Sequence, residues 1–149
     1  MYKDTVTVFN RYVDSFGDTI WFHHVISGVN LIVDKAVIAS KYGEVSKNNA
    51  VLNVKFKNDN GVVKIDNIPY LSPKEWDRQT NDMLADTITF SSEGTEYDFF
   101  ILGDYGSVEP ITDEYGDFYN EIQKEYDYVF AITSVAKYST IPHFEITGK

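Results

Sequence analysis

The sequence predicts a mainly β chain, a small antiparallel β-barrel or sandwich with one amphipathic helix (about 112–127) before a final β-hairpin. Three observations predict it. The chain carries eleven Tyr and ten Phe in 149 residues, and such rings pack well on a pleated surface. Short alternating or β-branched runs recur along it, separated by turn signals. Only one long stretch, near the C-terminal end, carries apolar residues at helical spacing. The length fits one domain, 1–149, since domains commonly run about 100–200 residues. A chain of this size buries roughly 70% of its unfolded surface and needs no covalent staple.

The elements follow in order. Thr5 to Tyr12 alternates and is rich in β-branched residues, so it reads as a strand. Asp14-Ser15-Phe16-Gly17-Asp18 is turn chemistry, and Thr19 to Ile26 returns as the second strand of a hairpin. Gly28 interrupts the run and marks a bulge or corner before Val29 to Val33. Within Asp34 to Asn49, Lys35 to Ser40 fits either a strand or a helix. In Ala50 to Lys57, Val54 and Phe56 face one way and Lys55 and Lys57 the other. Asn58-Asp59-Asn60-Gly61 is a turn, and Val62 to Ile65 pairs back.

Ile68 to Pro73 is extended, because each residue before a proline is pushed out of the helical region. Ser72 caps a helical turn opened by Pro73. Asp86 to Phe90 and Tyr97 to Leu102 read as strands, the second closed by Gly103. Thr112 is positioned to cap the helix, with Asp113 and Glu114 where its dipole favours negative charge. Tyr115, Phe118, Tyr119, Ile122 and Tyr126 form its apolar stripe, and Gly116 weakens its first turn. Val129 to Val135 and His143 to Thr147 make the closing hairpin.

Charge is concentrated. The net charge is −10, and the stretch from Glu93 to Asp127 holds eleven acids against one base, Lys124, which accounts for the whole excess. The rest of the chain is nearly neutral. A field of that sign repels nucleic-acid backbones. The absence of cysteine excludes disulfides and Cys-based zinc sites. Neither a signal-peptide stretch nor a membrane-spanning window of about 18 apolar residues is present, so no membrane is expected.

Catalytic signals are thin, and no enzyme activity is expected. His23 and His24 are adjacent, so on a strand they point to opposite faces and cannot chelate one metal together. Asp113, Asp117 and Glu121 share a helical face but read as solvated acids, together with Glu114 and Glu125. Asp59-Asn60-Gly61 lacks the downstream acid of an EF-hand. Phosphate-loop, dinucleotide, nucleophile-elbow and zincin motifs do not occur. No cofactor or metal is expected. Lys35, Lys41, Lys47, Lys55, Lys57 and Lys64 read as ordinary surface on a strand edge rather than a nucleic-acid patch. Trp76, with Tyr70 and Lys74 beside it, is either an interface anchor or a ring folded back onto the barrel.

Three blocks then carry a resemblance. They are Asp4 to Tyr12 followed by Trp21 to Val29, Ile68-Pro69-Tyr70 followed by Pro73 to Trp76, and Glu125 to Val135 followed by Pro142 to Lys149. Their order resembles small proteins encoded among the head–tail genes of phages and prophages of Gram-positive bacteria. In layout it is similar to the head-closure, or stopper, proteins. The helix at 112–127 and the acidic run depart from the simpler stopper pattern. The resemblance implies a virion component assembled in the bacterial cytoplasm, a β-barrel forming a homo-oligomeric ring between portal and tail. Its partners would be other neck, portal and tail proteins. DNA would pass nearby without sequence-specific binding, since an anionic wall releases no counterions from it. Segments 34–49 and 67–84 would order on assembly.

Two readings from other classes stand beside it. The acidic span 93–127 could mimic DNA phosphates and inhibit a host nucleic-acid enzyme. A carbohydrate-binding module would instead use Trp21, Trp76 and tyrosines.

Overall fold

The computed structural model describes residues 2–34, 49–92, 98–107 and 109–149. The span Lys35 to Ser40, the lysines Lys35, Lys41 and Lys47, and the acids Glu93 and Glu96 lie outside the described residues. In chain order the strands are β1 (Asp4–Val13), β2 (Thr19–Asp34), β3 (Asn49–Lys55), β4 (Lys57–Asp59), β5 (Val62–Ile65) and β6 (Ile68–Pro69), then β7 (Phe99–Leu102), β8 (Ile111–Asp113), β9 (Val129–Tyr138) and β10 (His143–Gly148). The helical segments are α1 (Pro73–Asp77), α2 (Asn81–Leu84) and α3 (Phe118–Glu125).

Six antiparallel strands close into a barrel in the order β1-β7-β9-β10-β3-β2, with β2 pairing back to β1. Closure needs strands that leave one neighbour and join another. β2 does this at Gly28, with Ser27 opposite Thr5 and Val29 opposite Asp4, so that Gly28 is the extra residue of a bulge. Its φ of +68 is a backbone state that favours glycine. Beyond the bulge β2 pairs with β3, from Asn30 opposite Asn53 to Asp34 opposite Asn49. The Asp4 carboxylate accepts the Leu31 N–H at 2.9 Å and fixes the crossing.

Alternation sorts the side chains. Val6, Val8, Ile26, Leu52, Val54, Phe100, Phe130, Ile132, Phe144 and Ile146 come from all six strands and form one buried cluster, which is the barrel interior. The opposite face of β1 and β2 is also buried. Phe9 and Trp21 pack there with Phe99, Ile101, Phe118 and Ile122, beneath α3. This double burial explains why Val6 to Asn10 are buried without a break.

The first hairpin, the Gly28 bulge and the closing hairpin match the sequence reading. The turn at Asp14 is held by its carboxylate, which accepts N–H bonds from Phe16 and Asp18 at 2.9 Å each. Among the described residues, no helix is long and apolar enough to cross a membrane.

Three expectations change. The helix spans 118–125 rather than 112–127. Thr112 does not cap it but lies in β8 opposite Ile20, and Gly116 takes φ +71 outside the helix. The β8 pairing with β2 claims residues 111–113, so the apolar stripe begins at Phe118 and Tyr115 drops out of it, 83% exposed. Asp86 to Phe90 is not a strand. It makes one parallel bridge, Ile88 to Tyr70, and Thr87 to Phe90 are all buried. Lastly, 67–84, expected as a loop, carries the helical segments α1 and α2. Ser72 and Glu75 form a reciprocal capping box on α1, and Trp76 and Leu84 pack on Phe22, closing the barrel end near Tyr12 and Ile20.

Candidate functional site

Two surfaces and one buried polar centre stand out. The first surface is acidic and is built by β8 and α3. Trp21 Nε1–H donates to Asp113 Oδ2 at 3.2 Å, and Asp117 N–H donates to Asp113 Oδ1 at 3.0 Å, so Asp113 anchors the start of the helix to the barrel. Phe118 and Ile122 then turn inward, which leaves Asp117, Glu121 and Glu125 on the solvent side. These three repeat every four residues, about 6 Å apart along a helix. Glu114 is exposed beside them. Asp113 is only half-exposed and lies on a strand, so it does not share the helical face expected of it.

Two aromatic rings stand at the same end. Phe16 in the β1–β2 turn is 89% exposed and Tyr115 is 83% exposed, the highest values among the large hydrophobic residues described. Both flank the pairing of Thr19 with Asp113.

The second surface is an open cleft of about 570 Å3 between the Gly28 bulge and the β4–β5 hairpin. Lys55, Lys57 and Lys64 line it with Phe56, Asp59 and Asp66. The two acids are engaged. Lys64 Nζ lies 3.1 Å from Asp59, and Asp66 accepts the Ser27 N–H at 3.1 Å, which ties the hairpin to the barrel. Lys55 Nζ sits 4.2 Å from the Tyr2 ring centre, and Lys137 Nζ sits 5.4 Å from that of Phe56. The strand-edge reading of Lys55, Lys57 and Lys64 therefore gives way to a lined cleft, because the turn at Asn60-Gly61 folds β5 back onto β4, which sets Lys64 opposite Lys57.

The buried centre is Asp98, 2% exposed. Its carboxylate accepts N–H bonds from Arg11 at 2.9 Å, Asn10 Nδ2 at 3.0 Å and Ser91 at 3.0 Å. Burial nevertheless pushes the carboxyl up to about 7, since those donors only partly replace water. The sequence reading counted Asp98 only as one of the eleven acids between Glu93 and Asp127 and missed this. A signal was available: a single acid abutting the apolar run Phe99-Phe100-Ile101 is a poor fit to a solvent-facing strand end.

Other expected sites resolve differently. His23 and His24 do face opposite ways. His23 packs on Phe9 and Tyr105 and reaches the Glu109 carbonyl at 3.1 Å, while His24 lies toward Thr87. Burial lowers the pKa of both. His143 stacks on Tyr138 with ring centres 4.8 Å apart. Among the described residues no group of three or more His, Asp or Glu is placed to hold a metal ion. Trp76 is 2% exposed and donates Nε1–H to the Arg11 carbonyl at 3.1 Å. It is a packed ring, not an exposed anchor. Lys74 is exposed and Tyr70 half-buried, the latter packed on Phe90 and Phe144. Trp21 is equally buried, so neither tryptophan offers a face to a sugar.

The chain belongs to a family of unknown function, DUF6751. The family model matches residues 1–149, so barrel, cleft and acidic face all fall within it. No curated protein and no solved structure matches the chain. For this DUF6751 chain the surfaces themselves carry the functional argument. One surface is acidic and aromatic, and the other is a lysine-lined cleft.

Proposed function

We propose that this chain is a structural component of a tailed phage, forming a ring at the head–tail junction as a closure, adaptor or tail-completion protein. It works by docking rather than by catalysis. The observation that carries this reading is the exposure of Phe16 and Tyr115 beside Glu114, Asp117 and Glu121. Two aromatic rings held almost fully in water, the most exposed of the large hydrophobic residues described, mark a surface meant to be covered. The closed barrel supports it as well, since a barrel leaves no long strand edge to pair at random and so favours side-chain docking. An acidic face also suits a position along a DNA path, where it gives the duplex no counterion-release gain.

The test is to mix the purified chain with portal-bearing capsids from its own particle and image the vertex by electron microscopy. Added ring density at the portal is the expected result, and its position separates adaptor from stopper. A folded chain that leaves the vertex unchanged retires the neck reading.

One observation favours the second reading, inhibition of a host nucleic-acid enzyme. Asp117, Glu121 and Glu125 form a row of exposed carboxylates at about 6 Å steps, the kind of anionic ladder that a phosphate-binding groove accepts. Tight, salt-sensitive capture of a nuclease from host lysate supports that reading, and loss of capture on Glu121→Lys assigns it to α3.

A further inference from the structure

A chain of net charge −10 has placed four of its thirteen Lys and Arg residues, Lys55, Lys57, Lys64 and Lys137, at or beside one cleft. The two acids in that cleft are held, Asp59 by Lys64 and Asp66 by the Ser27 N–H. With Lys64 and Asp59 offsetting each other, Lys55, Lys57 and the adjacent Lys137 outnumber Asp66, so the cleft is net cationic on a chain whose remaining charge is anionic. The acidic face lies elsewhere. It is attached to β2 at Ile20, through β8, whereas the cleft begins at the Gly28 bulge of the same strand. Eight residues of strand separate them, about 26 Å. The two surfaces cannot meet within one molecule.

We propose that the lysine cleft receives the acidic α3 face of a second copy of this chain. Asp117, Glu121 and Glu125 approach Lys55, Lys57 and Lys64, and the exposed Phe16 and Tyr115 cover the rim of the neighbouring molecule. The contact uses two different surfaces, so it is heterologous and repeats head to tail. Such a contact gives a ring when the rotation closes. The proposal deepens the neck reading and rests on it for its biological meaning, while its own chemistry is charge complementarity between two surfaces of one sequence. The same surfaces give each copy a self-repelling orientation, acid to acid, which selects the register.

Zero-length carbodiimide coupling, which joins a lysine to a carboxylate in direct contact, tests it. An equal mixture of 15N-labelled and unlabelled chain is treated at low salt and high concentration, and its cross-linked peptides are identified by mass spectrometry. Mixed-isotope links from Lys55, Lys57 or Lys64 to Asp117, Glu121 or Glu125 are expected, and they should vanish at about 1 M salt, where screening falls to about 3 Å. A chain that stays monomeric, or that links through other residues, overturns the proposal.

Charge reversal supplies an independent arm. Lys57→Glu with Lys64→Glu, and separately Glu121→Lys with Glu125→Lys, should each weaken self-association by about tenfold or more. Mixing the two variants restores it, because each reversed surface then meets a reversed partner. Failure of the mixture to recover overturns the contact. These side chains are on the surface, and Lys57→Glu alone serves where loss of the Lys64–Asp59 pair unsettles the hairpin. Portal capsids that bind the chain when no such cross-link forms retire this contact and leave the neck reading standing. The cross-link without portal binding does the reverse.

Discussion

The Asn10 side chain donates to the Asp98 carboxylate at 3.0 Å and to the Thr89 carbonyl at 2.6 Å, and its own oxygen accepts the Thr89 N–H at 3.3 Å. One side chain on β1 thus satisfies the Thr89 backbone, while Ile88 pairs with Pro69 and Leu71 on the other side. This is why a segment that reads as a strand runs through the core without a ladder. Asn10→Ala leaves a buried N–H, a buried carbonyl and part of a carboxylate without partners. Each such orphan costs about 1–3 kcal/mol. The expected loss is about 3 kcal/mol by urea unfolding, at the upper end for single substitutions. A loss within the range of ordinary surface changes would mean that this segment does not depend on Asn10.

Asp98 makes stability depend on pH in an unusual sense. Its carboxyl stands at about 7 in the folded chain, against about 4 when unfolded. Between those values the folded chain holds a proton that the unfolded chain has released. Stability from this group is therefore complete below about pH 4 and is lost as pH rises through about 7. His23 and His24 act in the other direction. Burial lowers both, so their contribution is present above the ordinary value of 6.5 and is lost as pH falls. Melting temperatures of the native chain and Asp98→Asn, compared from about pH 5 to about pH 8, separate the two effects. The native chain should lose ground to the variant as pH rises. Parallel curves would remove Asp98 as the source.

Trp76 closes one end of the barrel against Phe22 and Leu84, with its indole N–H bonded to the Arg11 carbonyl. Trp76→Ala should cost about 3–5 kcal/mol, the range for deleting a large buried ring. An interface anchor behaves otherwise: its removal leaves the isolated chain as stable as before and weakens only binding. Thermal unfolding of the variant decides between these behaviours, and indole fluorescence of the native chain should be blue-shifted, as both tryptophans are buried.

Much of the barrel was legible because its signals are local. The turn residues of 14–18 and 58–61, the Gly28 bulge and the Ser72 cap each act within a few positions of themselves. The helix boundary was not, since the pairing of Thr112 with Ile20 joins residues far apart in sequence and overrides helical propensity. Asp98 was hidden for a related reason. Its partners Asn10 and Arg11 come from the other end of the chain, and the charge run alone shows it only as one acid among eleven. The lysine cleft needed the fold too, because only the folding back of β4–β5 brings Lys64 beside Lys55 and Lys57. The acidic face, by contrast, was visible as a charge run and kept its exposure at Glu114, Asp117, Glu121 and Glu125.

Gly148 occupies the point where β9 changes partners, between the β7 pairing at Val129 to Ala131 and the β10 pairing from Ile132 onward. A Cβ placed there would lie 2.7 Å from Phe130 Cβ and 3.2 Å from two ring atoms of Phe100. The Phe100 ring can rotate away, but Phe130 Cβ is fixed to its own strand, so relief requires the two strands to separate. Gly148→Ala should therefore destabilise by about 1–3 kcal/mol through overpacking, even though alanine suits a strand better than glycine does. Trimming the movable neighbour, Phe100→Leu, should not rescue it, because the closest contact is untouched. Chemical denaturation of the single and double variants checks this. Full rescue by Phe100→Leu would show that the ring, and not the strand backbone, sets the space at the crossing.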